Sequence, residues 1–369
     1  MTNPSHPASP ADGATVPVTA EGEAFPSDPR RLRYTTVQPP VSGVPASIAP
    51  GVAWARIPLP MELDHINVWI IDTDDGCIVV DTGIGASVGQ DAWDLIDEST
   101  FASKPLRAVF VTHVHPDHIG LAAWLQERYR VPVLMSARTR ELASMLLGGA
   151  NGKQMEEAEH FFRSHGIAEI ERMQQMFKPD RFARMTSGMP QVDRMIADGD
   201  VLSWGSASWT ALETNGHAEG HLCLHDAAHR VLISGDQVLP TISSNISFVW
   251  RNGDKNPLRS YLSSLERLRG LDAETLVLPS HGLPFVGLHD RIDDLMRHHH
   301  EKLALLEELL TEPRLALEVL PVMFRRALKG MHMFLALAEA LAHLEFLVHA
   351  GRAERVIESG VIRYVRRLS

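Results

Sequence analysis

Residues 112–120 read Thr112-His113-Val114-His115-Pro116-Asp117-His118-Ile119-Gly120. An apolar run, Ala108-Val109-Phe110-Val111, stands directly before them and predicts a buried strand. In extended chain, side chains two apart point the same way, so His113 and His115 converge. Pro116 suits the first position of a helix, which sets Asp117 and His118 in its first turn, aimed back over the strand end. Four ligand-type side chains thus emerge on one lip of a sheet. Imidazole suits Zn, Fe or Ni, and a carboxylate added to several imidazoles is typical of hydrolytic zinc.

The sequence on either side of this string predicts α/β layering. His65–Ile71 and Cys77–Val80 read as strands joined by the turn Thr73-Asp74-Asp75-Gly76, and helix-like residues Val88–Asp97 follow. An amphipathic segment Ile119–Tyr129 and a strand over Pro132–Met135 come after the histidine string. Further strands are expected at Trp209–Glu213, Leu222–Leu224, Val231–Ser234 and Thr275–Leu278. Between them, residues 138–195 break the alternation with three expected helices, Arg138–Leu147, Gln154–His165 and Ile167–Phe177. Their Met145, Met155, Phe161, Phe162, Met173, Met176 and Phe177 are read as facing the insertion's own core. The other reading is a lid over a substrate with an apolar portion.

Residues 1–50, rich in Pro, Ala, Ser, Thr and Val, are expected to be a mobile leader, with an extended arm near Arg31–Val44. Residues 51–290 form the expected catalytic domain and 291–369 a helical tail. That tail reads as helices at Asp290–Leu310, Arg314–Leu328 and Met333–His349, then a hairpin of Ala353–Glu358 with Val361–Arg366.

The 369 residues carry 35 Lys+Arg against 46 Asp+Glu, a net charge of −11, which argues against a whole-surface grip on nucleic acid or an anionic membrane. The sequence reads as having no run of the roughly 20 apolar residues that span a bilayer. It also shows no basic region followed by an apolar core at the N-terminus, and Cys77 and Cys223 make no disulfide framework. These features predict a reducing cytoplasm.

Four further segments accompany the string, Asp81-Thr82-Gly83 before it and Asn215-Gly216-His217-Ala218-Glu219-Gly220-His221, Ile233-Ser234-Gly235-Asp236 and Leu278-Pro279-Ser280-His281-Gly282 after it. Together with His-x-His-x-Asp-His they resemble the metallo-β-lactamase superfamily over about residues 52–290. The resemblance implies an αββα four-layer sandwich with two mixed sheets. It implies that His113, His115 and His217 hold one metal, that Asp117, His118 and His281 hold a second, and that Asp236 bridges them. Asp81 supports the metal loop without binding metal. Two Zn2+ ions are expected, with Fe or Mn as alternatives. The implied chemistry is hydrolysis by a metal-bridging hydroxide, with Asp236 and Asp117 as the catalytic carboxylates, the latter able to orient the nucleophile as well as bind metal. His221 is read as a contact behind the ligands, Cys223 as packing, and His298-His299-His300 as a solvated helix face.

Within that superfamily, zinc β-lactamases generally have a cysteine where Asp236 stands, and flavodiiron reductases a glutamate where His115 stands. Glyoxalase II-type thioesterases match the seven ligands, although their usual threonine is Ala218 here and their glutathione-binding tail is not recognisable. The expected substrate is therefore a small ester, thioester or lactone with an apolar portion. The tail resembles a winged helix, which some superfamily endoribonucleases append, so RNA cleavage is one alternative; a mononuclear iron persulfide dioxygenase is another. From residue 313 on there are nine Lys and Arg against five Asp and Glu, yet Phe334–Glu345, where a recognition helix would lie, has neither Lys nor Arg. The tail is accordingly read as structural or dimerising, with a homodimer as the partner arrangement.

Overall fold

Period-two alternation sorts the side chains of each strand onto the two faces of its sheet, and the described strands form two seven-stranded sheets and a separate hairpin. The structure is a computed structural model that describes residues 32–148, 152–167, 181–324 and 328–367. The expected leader up to residue 31 and nearly all of the helix expected at Ile167–Phe177, including Met173, Met176 and Phe177, lie outside the described residues.

A short strand β1 (Arg33–Tyr34) is followed by β2 (Ala46–Ala49), β3 (Val52–Pro58), β4 (His65–Thr73), β5 (Gly76–Val80), β6 (Leu106–Phe110), β7 (Val133–Met135) and β8 (Val192–Met195). Strands β2 to β8 make one sheet in that spatial order, with β5 through β8 paired in parallel. The second sheet contains β9 (Val201–Trp204), β10 (Ala207–Thr214), β11 (His221–Asp226), β12 (Val231–Gly235), β13 (Leu276–Pro279) and β14 (Phe285–Val286). Its spatial order is β1-β14-β13-β12-β11-β10-β9, with β12 and β13 parallel. A separate hairpin pairs β15 (Ala353–Glu358) with β16 (Val361–Arg366), at the expected bounds.

The helices are α1 (Ser87–Ile96), α2 (Pro116–Ile119), α3 (Ala122–Tyr129), α4 (Ala137–Leu147), α5 (Gly152–Ser164), α6 (Arg181–Arg184), α7 (Pro257–Leu268), α8 (Leu288–Leu309), α9 (Leu320–Met323) and α10 (Met331–His349). Three apolar cores separate the layers. Along β4, Ile66, Val68 and Ile70 pack outward with Trp93 of α1 and Leu125 of α3, whereas Trp69 and Ile71 turn inward. There they meet Trp209, Leu222, Leu224 and Ile233 from the other sheet, and Trp69 stacks on Trp54 with ring centroids 6.2 Å apart. On the far side, Cys223, Leu232 and Val277 face Leu265 of α7 and Ile292 of α8. The order is helices, sheet, sheet, helices: the expected αββα sandwich.

Several expectations change. The first sheet begins before residue 51, because Ala46–Ala49 forms its edge strand on β3. The expected helix over Ile119–Tyr129 starts later, as α3 at Ala122, and Ile119 instead ends α2. The insertion does not pack only on itself: Phe162 of α5 lies in the tail's core, edge-to-face with Trp250 and Phe334 at 5.5 and 6.0 Å. The triple histidine is not a solvated face. Helical periodicity from Leu288 through Ile292 and Leu295 puts positions 298 and 299 on the inward stripe of α8, where both are buried. Burial and the nearby Lys302 and His343 push His298 down to about 2, so it stays neutral at pH 7. Finally, α10 is long and apolar enough to cross a bilayer, contrary to the reading that no such run exists, but 67% of its apolar window is buried in this fold. It packs on α7, α8, α9 and β15.

Burial also pushes the thiols of Cys77 and Cys223 up to about 12. Both stay protonated throughout the physiological range, so the native chain should leave a thiolate-seeking disulfide reagent unreacted at pH 8. Two thiols per chain should appear on denaturation; rapid labelling of the native protein would contradict this burial.

Candidate metal centre

All seven expected ligands, and Asp81 behind them, leave the sandwich at one end. Strands β5 and β6 run parallel, so Asp81 and the 113–118 loop emerge side by side. Strand β10 runs the same way as β12, because each is antiparallel to β11, and β12 is parallel to β13. His217, Asp236 and His281 therefore follow three strand ends on the facing sheet. The two lips are joined by backbone bonds: Leu222 N–H donates to Thr112 O at 2.9 Å and Asn67 N–H to Ser280 O at 2.7 Å. Gly216 and Gly235 precede two of these side chains with φ of +105° and +53°. A Cβ would lie 2.4 Å from Tyr261 Cβ at the first and 2.4 Å from His221 Nε2 at the second, so the backbone there needs glycine.

Two groups of donor atoms result. In the first, His113 Nε2 lies 3.0 Å from His115 Nδ1 and 3.3 Å from His217 Nε2, and His217 Nε2 lies 3.5 Å from Asp236 Oδ2. In the second, Asp117 Oδ2 is 3.5 Å from His118 Nε2 and 3.3 Å from His281 Nε2. Asp236 Oδ1 reaches this second group, 3.5 Å from His118 Nε2 and 3.7 Å from His281 Nε2. Donors placed tetrahedrally at about 2.1 Å from a cation are about 3.4 Å apart. The buried Asp117 Oδ2, His118 Nε2 and both Asp236 oxygens have no hydrogen-bond partner among the described residues. Such groups are costly unless something fills the space between them. The spacing and the orphaned lone pairs both fit divalent cations.

The outer nitrogens fix which inner atom is available. His118 Nδ1–H donates to Asp81 Oδ2 at 2.8 Å. Thr112 Oγ1 accepts from His113 Nδ1–H at 3.0 Å and donates to Asp81 Oδ2 at 2.8 Å. His217 Nδ1–H donates to the Asn245 carbonyl at 2.9 Å, and His281 Nδ1–H to that of His65 at 3.1 Å. Each leaves Nε2 facing inward, while His115 presents Nδ1. Asp81 thus touches the ligands from behind. Its φ of +63° lies in the left-handed region that Asn and Asp tolerate, so Asp81→Asn changes charge without new backbone strain. That variant should lose about 10- to 100-fold in metal affinity, measured by competition with a chelator. Unchanged affinity would show that Asp81 does not orient His118.

Electrostatics divide the imidazoles. Burial and neighbouring imidazoles hold His113 well below its ordinary value, and the same causes, led by burial and His217, lower His115 to about 3. Both therefore offer lone pairs at pH 7. Burial opposes charge on His118 too, but Asp236, Asp117 and Asp81 outweigh it and raise that ring well above its usual value. A positive charge belongs there. Burial works against charge on Asp117, yet His118 and His281 bring it down to about 2.

His221 is not among the donors. It accepts from the Asp236 N–H through Nε2 at 3.2 Å and donates through Nδ1 to Thr214 Oγ1 at 2.9 Å, which sets the backbone of Asp236. Cys223 sits in the outer core. Two supporting residues escaped the sequence reading. Asn67 donates to the carbonyls of Pro279 and Gly282 at 2.9 and 2.8 Å and accepts from Trp54 Nε1 at 2.8 Å, pinning the His281 turn to the opposite sheet. The available signal was its phase: alternation puts Asn67 on the inward face with Trp69 and Ile71, where an amide must find partners. Asn245, in an irregular loop, gave no such signal.

Residues 61–281 match the metallo-beta-lactamase superfamily, and residues 303–367 match a family described as metallo-beta-lactamase-like, C-terminal domain. The crystal structure of a beta-lactamase domain protein from Burkholderia ambifaria is 35% identical, with a TM-score of 0.84, over 94% of this chain and 100% of that one. The probable metallo-hydrolase YqjP of Bacillus subtilis is 27% identical over 82% of this chain and 93% of its own length. The acyl-coenzyme A thioesterase MBLAC2 of Gallus gallus is 28% identical over 51% of this chain, and the match spans only 63% of that protein. The match over residues 61–281, more than half the sequence, decides the affiliation: the chain belongs to the metallo-beta-lactamase superfamily and is a metal-dependent hydrolase.

Proposed function

We propose that this hydrolase uses two zinc ions to cleave a small ester, thioester or lactone with an apolar portion. The observation that carries the reading is the division of the Asp236 carboxylate, Oδ2 toward His217 and Oδ1 toward His118 and His281. On this reading His113, His115 and His217 hold one ion, Asp117, His118 and His281 the other, and Asp236 both. Two such cations lower the pKa of a shared water and polarise a carbonyl oxygen. The protein's part is to hold five imidazoles and two carboxylates in place, with the tautomers of His113, His118, His217 and His281 fixed from behind and Asp117 serving first as a ligand.

The apolar portion is read from one side of a cavity of about 120 Å3, where His115 and His217 meet Val114, Leu142, Met145, Leu146 and Val249, the other side being lined by Glu219, Arg251, Asn252 and Asp254. Its α4 side chains come from the insertion, in keeping with the lid reading, and Met145 suits a pocket that adapts to its occupant. The thioesterase named above supports an acyl substrate. RNA is disfavoured because every residue of α10 from Ala336 to Glu345 is buried, which leaves that stretch no exposed face to read a groove. A complete second donor group disfavours a single-iron dioxygenase.

The test joins elemental analysis to a panel of esters, thioesters, lactones, phosphodiesters and short RNA. Zinc with turnover of acyl substrates is expected. Iron with oxygen uptake, or turnover confined to phosphodiesters or RNA, would overturn the proposal.

A further inference from the structure

The loop from Asp236 to Asn256 carries one shared carboxylate and the carbonyl that orients His217, yet it contains no helix or strand. Tyr261 and Glu219 hold its two ends, at the Gln237 carbonyl and the Gly253 N–H, and the C-terminal helices hold its middle. Arg291 of α8, buried, donates through Nε to Leu239 O at 2.6 Å and through a terminal nitrogen to Ile242 O at 2.7 Å. Phe248 N–H donates to Ala338 O of α10 at 3.0 Å. Between these points lies Asn245, whose amide faces Glu339 Oε2 at 3.4 Å and Leu335 O at 3.5 Å, and whose Oδ1 accepts from Ser247 at 2.5 Å. Glu339 is itself fixed by Lys302 Nζ of α8 at 3.0 Å, with both side chains about 5% exposed, and Lys302 lies 4.5 Å over the Phe324 ring.

We propose that the C-terminal helices are a positioning element of the metal centre: Glu339, locked by Lys302, holds Asn245, and the Asn245 carbonyl orients the His217 imidazole. The inference rests on the two-cation reading of the site and adds a segment that contributes no ligand of its own. A buried ion pair gains little over an apolar pair in stability, so its presence beside a ligand-bearing loop points to registry. The same helices leave their apolar surface to the core, where Leu344 and Leu347 have no part in the strap.

The test uses the full chain loaded with Co2+, whose absorption reports ligand geometry, and compares Lys302→Met/Glu339→Met with Asn245→Ala. The double variant removes the strap without isolating a buried charge. Asn245→Ala removes only the amide and keeps the backbone carbonyl, so it serves if the double variant does not fold. Each should lose Co2+ from the His217 group about tenfold faster than wild type and shift its visible spectrum, at a circular dichroism signal like wild type. Leu344→Ala, which weakens the same helix, should lower Tm and leave both readouts alone. Wild-type release rate and spectrum in folded strap variants, or an equal change in Leu344→Ala, would overturn the positioning role. A wild-type chain that takes up no cation would overturn the site reading, and the strap with it.

Discussion

Asp236→Ala is expected to bind one cation per chain in place of two and to lose more than about 100-fold in turnover, the lower end of what removing one charge-stabilising group costs. The carboxylate supplies one oxygen to each donor group, so no other residue can replace both contacts. The fold should survive. Asp236 is held through its backbone, by N–H to His221 Nε2 and by its carbonyl to the Ser244 hydroxyl, and neither bond uses the side chain. Elemental analysis, circular dichroism and turnover together check this. Two cations retained at the wild-type rate would remove Asp236 from its bridging role.

The second large effect is on stability. Lys302→Met leaves the Glu339 carboxylate in a core beside α8 and α10 without its ammonium partner. Breaking a buried pair in this way costs about 3–5 kcal/mol, because the remaining charge stays desolvated. The double variant Lys302→Met/Glu339→Met should recover most of that loss, because both charges leave together and two flexible thioethers fill similar space. Denaturant unfolding of the single and double variants gives the comparison. A single variant as stable as wild type would show that this pair is not coupled to folding.

How much of this was legible depended on whether the signal was local. Four ligand-type side chains fall within six residues where a strand passes into a proline-started helix, so that cluster was readable from the string itself, whereas His217, Asp236 and His281, each after a strand-like run, came from the superfamily resemblance. The α/β alternation was readable from the residues, but the two-sheet layering came from the superfamily resemblance; in the structure Ile66, Val68 and Ile70 pack outward and Trp69 and Ile71 inward, into separate cores. The supports were not local. Asn67 reaches Pro279 across 212 positions and Asn245 reaches Glu339 across 94, separations at which no periodicity carries information. His298 and His299 misled because three adjacent polar residues look solvated until the stripe from Leu288 is followed around α8. The tail reads as structural or dimerising, and no periodicity in α10 says that its leucines share a core with Leu232 and Val277 of the catalytic sheet.

Equilibrium dialysis of the wild-type chain against limiting Zn2+, with bound metal counted per polypeptide, is the direct measurement. Saturation at two ions per chain is predicted, both removed by chelator and both restored on re-addition. Saturation at one, or none, would contradict a centre in which Asp236 is shared by a pair of cations.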